Sequence, residues 1–133
     1  MFRNVNDTSA RHSWDIFFEM HGCLNSAVSQ VISSATAYVH RDKLLLWQLS
    51  DMGEPKSLPQ KSFAVLKDLM NSVTNSLAPG QWGMYASFID TELDGKTAQD
   101  LYWRQNLPRL KAIKAKYDPR NIFWNPQGVT PIA

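Results

Sequence analysis

The sequence has little cysteine, little net charge and no long hydrophobic run. Cys23 is the only cysteine, so neither an internal disulfide nor a metal site built from cysteines can form. The 14 Lys and Arg against 12 Asp and Glu leave a net charge of +2, too small for the focused positive field that nucleic-acid and anionic-membrane binders carry. The three histidines lack the helical spacing of a shared metal site. We therefore expect no metal, no nucleic-acid partner and no membrane partner.

No segment contains the roughly 18 consecutive apolar residues of a membrane span. The N-terminus, MFRNVNDTSARHSWD, also lacks the apolar run of a signal peptide. As written, the chain is expected in the cytoplasm, unless the true start lies upstream. Its 133 residues, 44% hydrophobic and 20% charged, are typical of one globular domain with a hydrophobic core.

Strand patterns occur in three places. The run WDIFFEM at residues 14–20 is rich in aromatic and branched side chains. Residues 35–49, ATAYVHRDKLLLWQL, indicate two strands around a polar turn at residues 40–43, the second covered on both faces. Residues 81–90, QWGMYASFID, alternate as a third strand should. These patterns predict a mainly antiparallel sheet.

Helical patterns occupy the rest. Phe63 to Leu77 carry apolar side chains at intervals of three and four, which predicts one long amphipathic helix after a surface connection at residues 51–59. Thr97 is a candidate N-cap of a second helix, which must kink or restart at Pro108 and end at Asp118. An extended, proline-containing tail follows. The predicted fold class is α+β: a partial, mainly antiparallel sheet with one long amphipathic helix and a kinked C-terminal helix plus extended tail.

Two stretches of this sequence, ATAYVHRDKLLLWQL at residues 35–49 and a closing motif within residues 102–127, resemble the berberine-bridge branch of the vanillyl-alcohol-oxidase flavoproteins. The first stretch is similar to a family signature and the strand after it. Between the two, YASFID stands where the family has a tyrosine, asparagine, tyrosine and aspartate pattern. The closing motif is the more specific of the two stretches. It comprises Tyr102, Asn106, Leu107, Arg109, Leu110, Ile113, Lys114, Tyr117, Asp118, Pro119, Asn121, Phe123 and Gln127.

The resemblance implies an oxidase that holds flavin adenine dinucleotide (FAD) in an N-terminal domain and roofs the flavin with a substrate-domain sheet. It covers only the last quarter or so of a typical family member. Residues 1–13 are polar and aperiodic, and we expect them to form a flexible arm. The resemblance implies that residues 14–96 are part of the substrate domain and that residues 97–133 are the segment that returns to the flavin domain. We expect the chain alone not to hold FAD. Its expected partners are a small-molecule substrate and either a flavin-domain polypeptide or a second copy of itself.

The resemblance also names cofactor-binding candidates. Tyr85 and Ser87 match positions from which relatives reach the flavin ring, and Asn106 matches a residue near the cofactor. Ser87 replaces the usual asparagine, and a hydroxyl cannot present the paired donor and acceptor of an amide. The alternative for Tyr85 and Ser87 is that they are ordinary strand residues.

Gln48 and Phe88 are the substrate-binding candidates. Gln48 matches a strand position that presents polar groups to substrate in some relatives. Phe88 occupies the position of a tyrosine that acts as catalytic base, and phenylalanine has no proton to exchange. No catalytic residue is therefore assigned. Both side chains have an alternative interpretation as core residues.

Two further residues are singled out by their chemistry. His40 could titrate near neutral pH, although a histidine in a turn is more often structural. Cys23 is interpreted as a small buried apolar residue.

Three functional hypotheses follow. The leading one is the substrate-domain part of an FAD-dependent oxidoreductase of small-molecule or secondary metabolism, in which a hydride passes from substrate to flavin and then to oxygen. The second is a standalone, cofactor-free binding protein or non-redox cyclase or isomerase derived from that family. The third is a truncated, inactive product.

Overall fold

The computed structural model describes residues 13–52 and 60–132. The predicted flexible arm lies outside these residues except for Ser13, and most of the predicted surface connection, residues 53–59, does as well. The described elements confirm the α+β class, with one antiparallel strand pair and a helical C-terminal part. In chain order they are β1 Ser13–Met20, β2 Leu45–Met52, α1 Gln60–Thr74, α2 Gly95–Trp103, a 3-10 turn Arg104–Asn106 and α3 Leu107–Tyr117.

The chain divides into two compact units, each made of two separate stretches. Within the described residues, the first unit falls in Met1–His21 and Leu44–Trp82, and the second in Gly22–Lys43 and Gly83–Ala133. The division expected from the family, at residues 96 and 97, concerns the domains of a whole oxidase and stays a prediction.

The first unit contains the strand pair and α1. The run predicted at residues 14–20 does form β1, which pairs antiparallel with β2 so that Phe17 faces Gln48 and Met20 faces Leu45. The His21 amide donates to Leu44 O at 2.9 Å and extends the ladder by one bond. Helix α1 packs against β2.

The prediction that β2 is a central strand covered on both faces is wrong for the part of the chain that the structure describes. There β2 pairs with β1 alone, and the Leu45 side chain is exposed. An apolar run without alternation predicts a strand buried on both faces, but the pattern does not show which surface buries them.

The predicted strand at residues 35–39 is a series of bends instead. Carbonyl groups of this segment and of the two residues before it accept hydrogen bonds from side chains of the C-terminal helical region. Asn106 Nδ2 donates to Ser33 O at 2.7 Å and Thr36 O at 3.0 Å, and Arg109 Nη1 donates to Ser34 O at 2.8 Å. Backbone groups bonded in this way have no need of a neighbouring strand.

The predicted strand at residues 81–90 is also irregular. The Phe88 amide donates to Tyr85 O at 2.8 Å and closes a turn in the middle of the segment. The Met84 amide bonds to a helix carbonyl, Leu101 O, at 3.4 Å rather than to a strand. An alternating pattern requires a neighbouring ladder to become a strand, and the described part of the second unit contains no other strand.

The C-terminal helix begins one turn earlier than predicted. Asp94, not Thr97, is the N-cap: its Oδ1 accepts from the amides of Lys96 at 2.9 Å and Thr97 at 3.0 Å. The predicted restart is confirmed, because α2 ends at Trp103 and α3 begins at Leu107 with Pro108 in its first turn.

Helix α1 confirms the predicted amphipathic helix but ends at Thr74, before Leu77. Gly80 follows with φ +86°, a left-handed conformation that glycine adopts without steric cost. No helix among the described residues is both long and apolar enough to cross a membrane.

Candidate functional site

Tyr85 is the centre of an aromatic cluster in the second unit. Its ring meets Tyr38 edge-on at 5.7 Å between centroids and Phe88 edge-on at 5.2 Å. Such edge-to-face pairs contribute about 0.5–1.5 kcal/mol beyond the burial of their surface. We call Tyr38, Tyr85 and Phe88 the aromatic cluster.

The turn at residues 85–88 brings three of the five predicted site residues together. Tyr85 and Phe88 are half-buried, and Ser87 between them is exposed. The serine hydroxyl is therefore accessible to a group outside the chain, and the two rings hold the turn beneath it. This arrangement suits Tyr85 and Ser87 as cofactor contacts and Phe88 as a wall of a substrate site.

Asn106, the third cofactor candidate, has a different role in the structure. It is 6% exposed, and its Nδ2 donates to the carbonyls of Ser33, Thr36 and Ala37. The amide nitrogen is thus committed to holding the loop at residues 33–37. A cofactor role for Asn106 would have to use its carbonyl oxygen and stays a prediction.

Gln48 lies in the first unit, at the middle of β2. It faces Phe17 across the ladder and is half-buried. Its neighbour Trp47 contacts Phe18 edge-on at 4.8 Å, which stiffens this part of the sheet. The assignment of Gln48 to substrate binding also stays a prediction.

His40 is buried within the second unit. Its Nε2 lies 3.0 Å from Leu101 O. Burial lowers the pKa of the imidazole below its ordinary 6.5, and the nearby positive charges of Arg104 and Lys43 lower it further, although the hydrogen bond to Leu101 acts in the opposite direction. The ring is therefore neutral at pH 7. Burial also raises the pKa of Tyr38, with the phenol of Tyr85 as the next cause.

Gln127 makes structural hydrogen bonds that its place in the closing motif did not reveal. It accepts from the Tyr102 hydroxyl at 2.6 Å, and its Nε2 donates to Asp90 O at 2.7 Å and Leu93 O at 2.9 Å. It thereby ties the tail to the loop that precedes α2.

Asp118 organises the end of α3. Its carboxylate accepts from Lys114 Nζ at 2.5 Å and from the amides of Ile122 at 2.8 Å and Phe123 at 3.0 Å. These bonds, that of Lys114 first, lower the pKa of the carboxyl. Asn121 in the same turn has φ +51°, a left-handed conformation that asparagine adopts more readily than most residues.

The expectation about Cys23 has a clear outcome. Cys23 is exposed, so its interpretation as a buried apolar residue is wrong. The exposed ring of Tyr117 lies near Lys116 Nζ, at 5.3 Å from the ring centroid, and contributes little to the packing of the segment.

Within the described residues, the exposed turn at residues 85–88 is the candidate flavin contact, and the N-terminus of α2 is not free to bind the phosphates of the dinucleotide. The exposed hydroxyl of Ser87 and the ring of Tyr85 fit the edge of an isoalloxazine. The N-terminus of α2, where backbone amides commonly bind phosphate, is already occupied by the Asp94 carboxylate. A contact of Tyr85 and Ser87 with a flavin ring therefore stays a prediction, and the N-terminus of α2 does not fit the diphosphate.

Comparison with known proteins identifies relatives of this chain. A profile of the berberine and berberine-like family matches residues 84–130. The chitooligosaccharide oxidase of Gibberella zeae is 42% identical over 133 residues, which are 99% of this chain and 27% of that protein. The xylooligosaccharide oxidase from Myceliophthora thermophila, solved in complex with xylobiose, superposes with a TM-score of 0.83 at 39% identity, over 93% of this chain and 27% of that one.

A structure of the glucooligosaccharide oxidase from Acremonium strictum, whose FAD is described as 6-S-cysteinyl, 8α-N1-histidyl, superposes with a TM-score of 0.85 at 38% identity, over 96% of this chain and 28% of that one. The family profile and these relatives thus define a part of an FAD-linked oxidoreductase. The chain belongs to the berberine-bridge-like family and corresponds to a C-terminal segment of such an oxidase. It spans about a quarter of the length of the curated relatives it matches.

Proposed function

We propose that this chain is the substrate-domain part of an FAD-dependent oxidase whose substrate is a saccharide. The observation that carries the proposal is the 42% identity to the chitooligosaccharide oxidase of Gibberella zeae, which extends over 99% of the chain. Similarity over the whole chain includes both the strand that bears Gln48 and the turn that bears Tyr85.

The saccharide class is favoured by the relatives that act on glucose-, xylose- and chitin-derived oligosaccharides. Aromatic rings and amides are chemically suited to such substrates, since rings stack on the apolar faces of sugars and amides bond their hydroxyls. Phe88 and Gln48 are the candidates for these two roles. A small molecule of secondary metabolism is the alternative substrate.

The cofactor role is divided between this chain and the flavin-binding part of the oxidase. Flavin, when bound, accepts the hydride that the substrate gives up. Tyr85 and Ser87 would line one edge of the ring, and Ser87 would offer a single hydroxyl bond to it. The remaining contacts, including those to the phosphates, would come from the flavin-binding part.

The isolated chain is expected to bind FAD weakly and to oxidise nothing. The reason is that the chain spans about a quarter of the length of the oxidases it matches, and that the N-terminus of α2 is already capped by the Asp94 carboxylate. Gel filtration of the purified chain with added FAD, followed by an absorbance spectrum, measures this directly. A protein fraction that keeps the yellow flavin band would contradict the expectation.

A chimera tests the function itself. This chain replaces the matching segment of the Gibberella zeae chitooligosaccharide oxidase, and the unaltered oxidase serves as control. We expect the chimera to retain flavin and to oxidise chitooligosaccharides more slowly than the control, because Phe88 offers no base. A chimera that retains flavin but oxidises no oligosaccharide would overturn the proposed function.

One observation favours a second function, that of a cofactor-free binding protein or isomerase. Phe88 removes the side chain that the family uses for proton abstraction, so selection for oxidation is not evident at this position. Binding of oligosaccharides by the isolated chain, measured by calorimetry without flavin, would support this alternative.

A further inference from the structure

The buried imidazole of His40 is not used by the proposed function. It is 6% exposed and its Nε2 lies 3.0 Å from Leu101 O. Because a carbonyl oxygen only accepts, Nε2 must carry the hydrogen. The ring therefore donates to the last turn of α2 from a loop that is 61 residues away in sequence.

The same imidazole lies directly against the backbone of Gly83. A Cβ atom placed on Gly83 would be 2.0 Å from His40 Cε1 and 2.5 Å from Nδ1, distances that real atoms do not reach. No residue other than glycine fits at this position while the ring stays in place. The contact thus fixes where the segment that leads to Tyr85 begins.

Leu101 O joins the two features. It accepts from His40 Nε2 and, at 3.4 Å, from the Met84 amide, so the imidazole and the first residue after Gly83 converge on one carbonyl. The Met84 bond is long, and the imidazole bond of 3.0 Å is the stronger of the two.

A second set of contacts links His40 to the turn at residues 85–88 through Tyr38 of the aromatic cluster. The Tyr38 ring meets the His40 ring edge-on at 5.8 Å and the Tyr85 ring at 5.7 Å, and its hydroxyl donates to His40 O at 3.1 Å. His40 therefore contacts, directly or through Tyr38, both the start of the 83–88 segment and the ring at its centre.

We propose that His40 is a positioning residue: by packing on Gly83 and bonding Leu101 O, it sets the backbone of residues 83–88 and with it the placement of Tyr85, Ser87 and Phe88. The importance of that placement for oxidation rests on the proposed function, whereas the placement itself does not. His40 acts through the segment and does not itself meet substrate or flavin.

Charged and titratable groups around the imidazole come from three places. Asp42 and Lys43 lie on its own turn, Tyr38 precedes it, and Arg104 follows α2. Burial disfavours a positive charge on the ring, and the two cations act in the same direction. Protonation of His40 therefore belongs to pH values below 6.5. Nε2 keeps its hydrogen there, and we expect the buried positive charge to displace the ring from Gly83 and with it the 83–88 segment.

Two variants separate the hydrogen bond from simple space filling. His40→Gln keeps a nitrogen donor near the place of Nε2, whereas His40→Leu keeps much of the volume and has no donor. In two-dimensional NMR spectra of the full chain at pH 7.5, we expect the ring signals of Tyr85 and Phe88 to move in the leucine variant and to stay near their wild-type positions in the glutamine variant. The indole signal of Trp47, in the first unit, is the internal control.

Equal spectra for the two variants, with Tyr85 and Phe88 unmoved in both, would overturn the proposal. If His40→Leu does not fold, an NMR titration of the wild-type chain from pH 7.5 to 4.5 tests the positioning role instead. Tyr85 and Phe88 signals that move together with the His40 ring signals support positioning. If they stay still while His40 titrates, or move only in step with Trp47 as in global unfolding, the proposal is wrong.

The chimera gives a functional readout that is distinct from its use above. We expect His40→Leu in the chimera to lower kcat by roughly 10- to 100-fold, as misplaced reacting groups do, and His40→Gln to restore most of it. An inactive chimera with His40 intact would count against the proposed function alone, because the NMR result on the isolated chain would stand. An active chimera in which both variants match the wild type would overturn the positioning role.

Discussion

Phe88 is the residue at which chemistry and packing can be separated by one substitution. Phe88→Tyr in the chimera adds only a hydroxyl, and if it restores the general base we expect turnover to rise by a factor of about 100 to 10,000. The half-buried ring already meets Tyr85 edge-on, so the backbone of the turn need not move. Steady-state kinetics with a chitooligosaccharide measures the gain.

Stability of the same variant locates the new hydroxyl. A hydroxyl that faces an open cavity costs little, whereas one that enters a dry interior without a partner costs about 1–3 kcal/mol. Phe88→Leu serves as the control for loss of the ring. A tyrosine variant that is destabilised and no faster would place the Phe88 edge in the core and end its interpretation as a lost catalytic position.

Asp118 should make the chain sensitive to acid. Its pKa is lowered by the Lys114 hydrogen bond, so the carboxylate stabilises the folded state at neutral pH, and this contribution is lost as the pH falls below 3.8 through the folded pKa. Asp118→Asn keeps the shape and removes the charge. We expect urea unfolding to show the variant less stable than the wild type at pH 7 and the difference to shrink toward pH 2. A difference that does not change with pH would contradict this role.

At the scale of elements, the sequence predicted those that depend on local pattern. Strand β1, helix α1 and the restart at Pro108 were found because alternation, helical periodicity and a missing proline donor act over a few residues. The strands predicted at 35–39 and 81–90 failed for a different reason. Their backbone groups bond to Asn106 and Leu101, whose positions no local pattern reveals.

The tail is held to the helices by a buried pair that a conservative substitution can break. Tyr102→Phe removes the hydroxyl that donates to Gln127 Oε1 at 2.6 Å and leaves that buried oxygen without this donor. We expect a loss of about 1–3 kcal/mol in the free energy of unfolding, measured by urea denaturation. Tyr117→Phe, at an exposed ring, is the matched control and should cost little. Equal losses in the two variants would contradict the role of the pair.

At the scale of the whole molecule, the resemblance identified the family and the C-terminal segment, but the structure was needed to tell which candidate site residues are accessible. Tyr85 and Ser87 lie on one accessible turn, whereas the Asn106 side chain is hydrogen-bonded to a loop of the same chain. His40 was treated as an ordinary turn residue because neither its burial nor its contact with Gly83 can be read from a single sequence. Long-range contacts of this kind determine a site and leave no periodic signal.

The described surface of the first unit favours association with a second copy of the chain. Strand β1 carries large apolar side chains in the open: Phe17 is 54% and Met20 76% exposed, and Phe18 between them is exposed as well. Among the described residues β1 pairs with β2 alone, so its other edge has backbone groups that a further strand can bond. An apolar, open edge of this kind is a template for pairing.

Sedimentation velocity tests this association. We expect the mean mass to rise above the 15.2 kDa of one chain as concentration increases, because exposed apolar area and strand edges are covered on association. Phe17→Lys places a charge on β1 and should return the protein to a single chain, whereas Ala112→Lys, on the exposed side of α3, adds the same charge elsewhere and should not. A wild type that stays at the mass of one chain at every concentration would contradict the prediction. Association that survives Phe17→Lys would assign the contact to a surface other than β1.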